Sequence, residues 1–92
     1  MSYKENKPIP EKNQRGFNVM TEKFCSELCD FNGYYSIPKF NYNLYLHYYA
    51  FTKIENLDNF INLRVLYLEN NCIRKIENIS HLKNLMCLYY NN

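Results

Sequence analysis

Residues 63–82 read LRVLYLENNCIRKIENISHL, and this stretch decides the fold of the chain. Its residues follow the spacing LxxLxLxxNxIxxIxxIxxL. In the first part, an alternation of apolar and outward-facing positions predicts a short strand that turns Leu66 and Leu68 inward and Tyr67 outward. In the second part, aliphatic residues three apart predict a return arm built from turns or short helical pieces, with inward side chains at Ile73, Ile76, Ile79 and Leu82.

Asparagines occupy the bends of this unit. Asn71 stands where the chain leaves the strand, and we expect its side-chain amide to pair with backbone groups that the bend leaves free. Asn56 and Asn78 precede the return arms, and we expect them to cap those arms. Tyr49 takes the place of Asn71 in the preceding copy, which suits a terminal coil whose bend does not stack on another coil.

The same unit is repeated along the chain. Aligning residues 44–65 with residues 66–87 gives nine identities in 22 positions, and a third copy begins with LYYNN at 88–92. Both the spacing and the residue types are those of the 22-residue leucine-rich repeat. The sequence therefore predicts a short α/β leucine-rich-repeat solenoid, with parallel strands on its concave face and segments 44–46 and 66–68 as neighbours.

Composition divides the chain before the repeats. A polar, proline-containing start cannot bury enough apolar surface to offset its ordering entropy. After it, Phe24 and Leu28 lie one turn apart and predict a helix that begins at Thr21 and ends at Gly33. We therefore expect three parts, namely a disordered tail at 1–19, an N-terminal helical cap at 20–43 and the repeats at 44–92.

Charge and hydropathy exclude several function classes. Eleven Lys and Arg against nine Asp and Glu leave a net charge of +2, which is too small and too evenly spread for a nucleic-acid-binding protein. The start of the chain lacks the apolar stretch of a signal peptide, and the longest mostly apolar run, 44–51, is far too short to span a bilayer. We expect a cytoplasmic protein with reduced thiols and no membrane partner.

No catalytic constellation is visible in the sequence. His47 and His81 lack a serine or cysteine partner in a recognisable nucleophile motif, and two glycines are too few for a phosphate-binding loop. Cys25 and Cys29 lie one helical turn apart and could in principle hold a metal with a histidine, but packing against the core is the expected role of these thiols. We expect no enzyme, no cofactor, no metal and no small-molecule substrate.

Two columns of side chains on the strands form the candidate binding surface. Equivalent strand positions lie 22 residues apart, so their side chains are expected to line up about 4.8 Å apart on the concave face. A tyrosine column offers stiff contact area with a polar tip, which protein interfaces favour, but it could equally be a self-stacked ladder that supports the sheet. The predicted partner-binding residues are Tyr45, His47, Tyr67, Glu69, Tyr89 and Asn91.

Two charge columns are predicted on the outer rim of the coils. Lys53 and Lys75 form one, and Glu55 and Glu77 form the other. A solvated edge is the expected role of both columns. RNA binding through aromatic and basic side chains is a minor alternative that the balanced charge does not favour.

From residue 20 onward the chain resembles the leucine-rich-repeat axonemal dynein assembly factors. Ile-Glu-Asn repeats also occur in the regulatory subunit of protein phosphatase 1 and in an axonemal dynein light chain. The lead-in helix with Leu28-Cys29 and the LYLH of 44–47 favour the assembly factors. The other matching residues are Met20-Thr21, Phe24, Tyr35, Pro38, Phe51, the IENL of 54–57, the LRVLYLE of 63–69 and the IENI of 76–79.

This resemblance implies a non-enzymatic scaffold for cytoplasmic preassembly of dynein arms and for building a cilium or flagellum. The partners it implies are dynein chains or assembly co-chaperones. The alternative is a binder of protein phosphatase 1, like its regulatory subunit. Family members carry further repeats, a C-terminal cap and a long tail. Because about three or more stacked repeats are normally needed for stability and this chain has two and the start of a third, we expect it to be a fragment or truncated gene model, or to depend on a partner. By the same comparison, Met20 is a candidate start.

Overall fold

Three short parallel strands form the centre of the computed structural model, which describes residues 6–91. The strands β1 (Asn43–Tyr45), β2 (Val65–Tyr67) and β3 (Cys87–Tyr89) lie side by side in that order, and Leu44, Leu66 and Leu88 are directly opposite one another. Hydrogen bonds from Leu46 N to Tyr67 O (2.9 Å) and from Leu68 N to Tyr89 O (2.8 Å) extend the pairing by one residue. The predicted neighbours 44–46 and 66–68 are confirmed.

One helix, α1 (Glu22–Phe31), precedes the sheet in the described part of the chain. The Thr21 hydroxyl accepts a hydrogen bond from Phe24 N at 3.0 Å, which is the predicted N-cap. Gly33 follows the C-cap with φ +86°, the left-handed conformation that glycine adopts without strain. Both predicted ends of the helix are confirmed. A 3₁₀ turn, Pro38–Phe40, then leads into β1.

A single apolar core joins the helix to the coils between the strands. The helix contributes Phe24 and Leu28, whose side chains lie in the same buried cluster as Leu44. The Phe24 ring meets the ring of Phe51 edge-on at 5.9 Å. The described residues therefore form a small α/β domain. Its other fully buried large side chains are Met20, Leu46, Ile54, Leu57, Phe60, Leu63, Leu66, Leu68 and Ile73.

The prediction that Ile76 turns inward is wrong. Ile76 is 41% exposed, whereas Ile54, at the equivalent position of the preceding coil, is 0% exposed. Ile54 is covered because the coil of residues 66–87 packs on its own coil. No further coil covers Ile76 among residues 6–91, and Ile79 is only partly buried for the same reason. Burial of an aliphatic side chain here depends on the next coil as well as on its own.

The prediction that Asn56 and Asn78 cap the return arms is also wrong. Neither arm contains a helix to cap within the described chain. Both asparagines are left-handed, with φ 62° and 60°, a conformation that asparagine tolerates better than most residues. Asn56 Nδ2 donates to Met20 O at 3.0 Å, and Asn78 Nδ2 donates to Ile54 O at 2.7 Å. Each amide therefore ties its coil to the element before it.

The segment before the helix makes backbone and side-chain contacts from residue 11 to residue 19. Val19 N donates to Glu11 O at 2.8 Å, which closes a loop. Asn18 Nδ2 donates to Tyr49 O at 2.6 Å and holds this loop against the first coil. Residues 1–5 of the predicted tail lie outside the described residues, and the division of the chain at residue 19 stays a prediction.

Candidate functional site

Asn71 sets the geometry of the strand ends. Its Oδ1 accepts hydrogen bonds from Tyr49 N (3.1 Å) and Phe51 N (3.0 Å). Its Nδ2 donates to Leu46 O (2.8 Å) and Leu68 O (3.0 Å). The predicted pairing with the backbone of the bend is confirmed, and it includes the preceding coil, where Tyr49 supplies no amide of its own. One buried side chain thus fixes the chain just past β1 and β2.

The tyrosines of the three strands stack on the face of the sheet that turns away from the core. The ring centroids of Tyr45 and Tyr67 are 4.6 Å apart with planes 15° apart. Those of Tyr67 and Tyr89 are 4.9 Å apart with planes 10° apart. These distances confirm the predicted alignment, because the rings follow the spacing between neighbouring strands.

Tyr34 adds a fourth ring that the repeat pattern does not reveal. It stacks on Tyr45 at 5.9 Å with planes 25° apart. Tyr34 follows Gly33 at the end of α1, eleven positions before Tyr45 in the printed sequence, so a search for positions 22 apart cannot find it. Burial raises the pKa of Tyr45, and a hydrogen bond with Tyr34 raises it further. The Tyr45 phenol therefore stays neutral to a higher pH than a free tyrosine.

The second predicted column, His47, Glu69 and Asn91, runs beside the tyrosines. Asn91 is tied to the preceding coil, since its Oδ1 accepts from Asn70 N at 3.0 Å. The His47 ring meets Tyr45 edge-on at 6.4 Å. His47 Nδ1 and Glu69 Oε1 are buried atoms without a hydrogen-bond partner in the described part of the chain. Buried polar atoms nearly always have a hydrogen-bond partner, so these two atoms are exceptions to that rule.

We call the six predicted residues together the tyrosine face. The structure brings them together in two columns, at the strand ends and just beyond them. Tyr89 is 47% exposed, and the equivalent Tyr45 and Tyr67 are half-buried. A cavity of about 490 Å³ opens at one end of the face, beside His47 and Tyr48. There Lys7 places its ammonium 5.2 Å from the centre of the Tyr49 ring. The members of the face are Tyr45, His47, Tyr67, Glu69, Tyr89 and Asn91.

The two cysteines of α1 are poor nucleophiles, and the other two are exposed. Burial raises the pKa of the Cys25 thiol above its usual range and raises that of Cys29 to about 11. Both thiols therefore stay protonated near neutral pH, when only a thiolate is a good nucleophile. Cys72 and Cys87 are exposed and free. No group of three or more histidine, cysteine or acidic residues is placed to hold a metal ion among residues 6–91.

The described residues thus make a small α/β domain whose sheet displays ordered aromatic and polar side chains. No helix among them has the length and hydropathy of a membrane span. Proteins similar to this chain carry the name dynein axonemal assembly factor 1. The Drosophila melanogaster homolog is 45% identical over 56 residues, and that of Drosophila pseudoobscura pseudoobscura is 42% identical over 56 residues. The Rattus norvegicus protein is 43% identical over 49 residues.

The similarity covers a large part of this chain and a small part of those proteins. It takes in 61% of this chain and 4% of each Drosophila protein. With the rat protein it takes in 53% of this chain and 8% of the relative. No family model matches the chain, and no solved structure matches it as significantly as those relatives do.

Proposed function

We propose that this chain is a leucine-rich-repeat module that serves as a non-enzymatic, protein-binding scaffold in the assembly of axonemal dynein arms. The observation that carries the proposal is the identity of 42% to 45% over 56 residues with proteins named for that assembly. Work of this kind takes place in the cytoplasm, before the finished arms enter a cilium or flagellum. Its partners are dynein chains or the co-chaperones that help to assemble them.

The repeat architecture is supported by the register of the strands. Parallel strands exactly one repeat apart pair Leu44 with Leu66 and Leu66 with Leu88. Asn56, Asn71 and Asn78 each hydrogen-bond to the element before their own coil. Such stacking is the way repeat proteins bury a continuous core, because one coil cannot bury enough apolar surface alone.

The tyrosine face is the surface we propose for the partner. Stacked rings alone are explained by the spacing of the strands, so they do not distinguish a binding surface from a self-supporting ladder. The unpaired Glu69 Oε1 and His47 Nδ1 favour the binding surface, since these half-buried side chains can turn outward to a partner that supplies the hydrogen bonds this chain leaves unmade. Rigid tyrosines around such groups match the composition of interface hot spots.

The test is to identify what the chain binds in cells that are building cilia. The tagged chain is purified from such cells, and the proteins recovered with it are identified by mass spectrometry. We expect dynein chains or their assembly co-chaperones. Recovery of the catalytic subunit of protein phosphatase 1 without any dynein component would contradict the proposal and favour the alternative, which the comparisons with known proteins do not support.

A further inference from the structure

A groove of about 800 Å³ lies between the N-terminal loop, which is residues 11–19, and the first two coils. It is separate from the tyrosine face and shares no residue with it. Its chemistry is carried by Arg15, Phe17, Lys53, Arg74, Lys75 and Glu77. We propose that this groove, which we call the basic groove, docks an acidic peptide segment of a partner protein in which apolar residues interrupt the acidic ones. The proposal is independent of the role in dynein assembly.

The charge of the groove is the first reason. Counting the described residues, four cationic side chains and one carboxylate line it, in a chain whose net charge is only +2. Lys75 lies 3.9 Å from Glu77, and this contact joins two side chains already within the groove. The ion pair between Lys75 and Glu77 is the one recorded between residues 6–91, and it leaves Arg15, Lys53 and Arg74 without a carboxylate partner among those residues. Clustered unpaired cations in a groove attract a segment of opposite charge.

The repeat explains why the cations stand together. After each strand the chain alternates, so that Phe51 and Ile73 are buried while the residues beside them are exposed. Lys53 and Lys75 occupy equivalent positions of neighbouring coils and therefore lie side by side on the flank. Arg74 joins them from the same stretch of the second coil.

The N-terminal loop completes the groove. Hydrogen bonds from Val19 N to Glu11 O and from Asn18 Nδ2 to Tyr49 O hold the loop against the first coil. The loop thereby brings Arg15 and Phe17 to the lysine side of the flank. Because these residues come from outside the repeats, the periodicity of the sequence does not reveal the groove.

Apolar surface in the groove favours a peptide over a nucleic acid. Phe17 is 43% exposed, and the Arg15 guanidinium lies 5.7 Å from the centre of its ring. Binding of single-stranded nucleic acid commonly uses several aromatic rings with free faces, and among residues 6–91 Phe17 is the one aromatic residue that lines this groove. The Glu77 carboxylate can accept hydrogen bonds from the backbone N–H groups of a peptide, and a phosphate backbone has no such donors.

Binding of a synthetic peptide tests the basic groove. The probe is a fluorescein-labelled peptide of glutamates interrupted by leucines, and its anisotropy is followed as the full chain is added. We expect saturable binding that weakens as salt is raised, because the charges are exposed. Arg74→Glu should weaken binding of the peptide about fivefold or more, because it removes an ion pair with the peptide worth ~1 kcal/mol. Lys53→Glu should act in the same direction.

Lys83→Glu is the matched control, because Lys83 is exposed and outside the groove while the change in net charge is the same. Circular dichroism checks that all variants remain folded. The proposal is overturned if the peptide does not bind, if Lys83→Glu weakens binding as much as Arg74→Glu, or if a labelled single-stranded oligonucleotide binds in an Arg74-dependent way more tightly than the peptide.

Two native cysteines locate the bound peptide. Cys72 lines the groove, while Cys87 is equally a free, exposed thiol and lies on β3. Saturating peptide should slow the alkylation of Cys72 by iodoacetamide several-fold and leave that of Cys87 unchanged, as measured by peptide mapping. Equal protection of both thiols, or of neither, would overturn the location.

Discussion

At the scale of single residues, asparagine side chains make hydrogen bonds to the backbone of the kind that regular secondary structure makes elsewhere. The coils have few backbone hydrogen bonds of their own, and asparagine amides join each coil to the element before it. Asn71 is the clearest case, because its amide pairs with four backbone groups of two coils. The role of Asn71 follows from its position in the repeat. The left-handed conformation of Asn56 and Asn78 does not, since the same residue types also cap helices.

Replacing Asn71 with alanine should therefore destabilise the chain strongly. The change leaves two backbone N–H groups and two carbonyls without their partners, in a place that is 7% exposed. We expect the free energy of unfolding to fall by about 3 kcal/mol or more, as measured by urea titration. Asn84→Ala, at an exposed site, should change it by less than about 0.5 kcal/mol. Similar costs for the two variants would contradict this role of Asn71.

At the scale of elements, the contribution of a repeat position to stability depends on whether a neighbouring coil covers its side chain. The 22-residue period predicts the direction of the strands, their register and the inward leucines. The reason is that residues 22 positions apart fall opposite one another on neighbouring strands. The exposure of Ile76 does not follow, since its cover is a neighbouring coil and not its own sequence.

Ile54 and Ile76 make a matched pair for measuring the effect of that cover. Ile54→Ala should lower the free energy of unfolding by about 2–5 kcal/mol, the usual cost of such a cavity in a core. Ile76→Ala should cost about 1 kcal/mol or less, because its side chain is already partly in water. Equal losses in urea titrations of the two variants would contradict the packing described for the two coils.

The two buried thiols of helix α1 should make the free energy of unfolding fall at alkaline pH. In the folded chain burial raises the pKa of Cys29 to about 11, from 9.0 for an unburied thiol. Burial raises the pKa of Cys25 as well. The unfolded chain thus holds fewer protons above about pH 9, so the free energy of unfolding should decrease as pH rises toward 11. Cys25→Ala combined with Cys29→Ala should flatten this slope. A slope unchanged in that variant would rule out the thiols as its cause.

At the scale of the whole molecule, two surfaces of different chemistry lie on one small scaffold. The tyrosine face holds aromatic rings with an unpaired carboxylate oxygen, and the basic groove holds cations around one exposed ring. The sequence predicts the first surface, because its columns repeat with the strands. It does not predict Tyr34 or the basic groove, because both depend on how the helix and the N-terminal loop pack on the coils.

The most direct measurement of the central claim is recovery of partner proteins by the Tyr67→Ala variant. Tyr67 is the central ring of the tyrosine face, and Tyr35 is an exposed tyrosine outside it. Thermal unfolding first establishes that both variants are folded. Quantitative mass spectrometry should then show that Tyr67→Ala recovers at least about tenfold less dynein or co-chaperone, while Tyr35→Ala recovers as much as the unaltered chain. Undiminished recovery by a folded Tyr67→Ala variant would contradict the account.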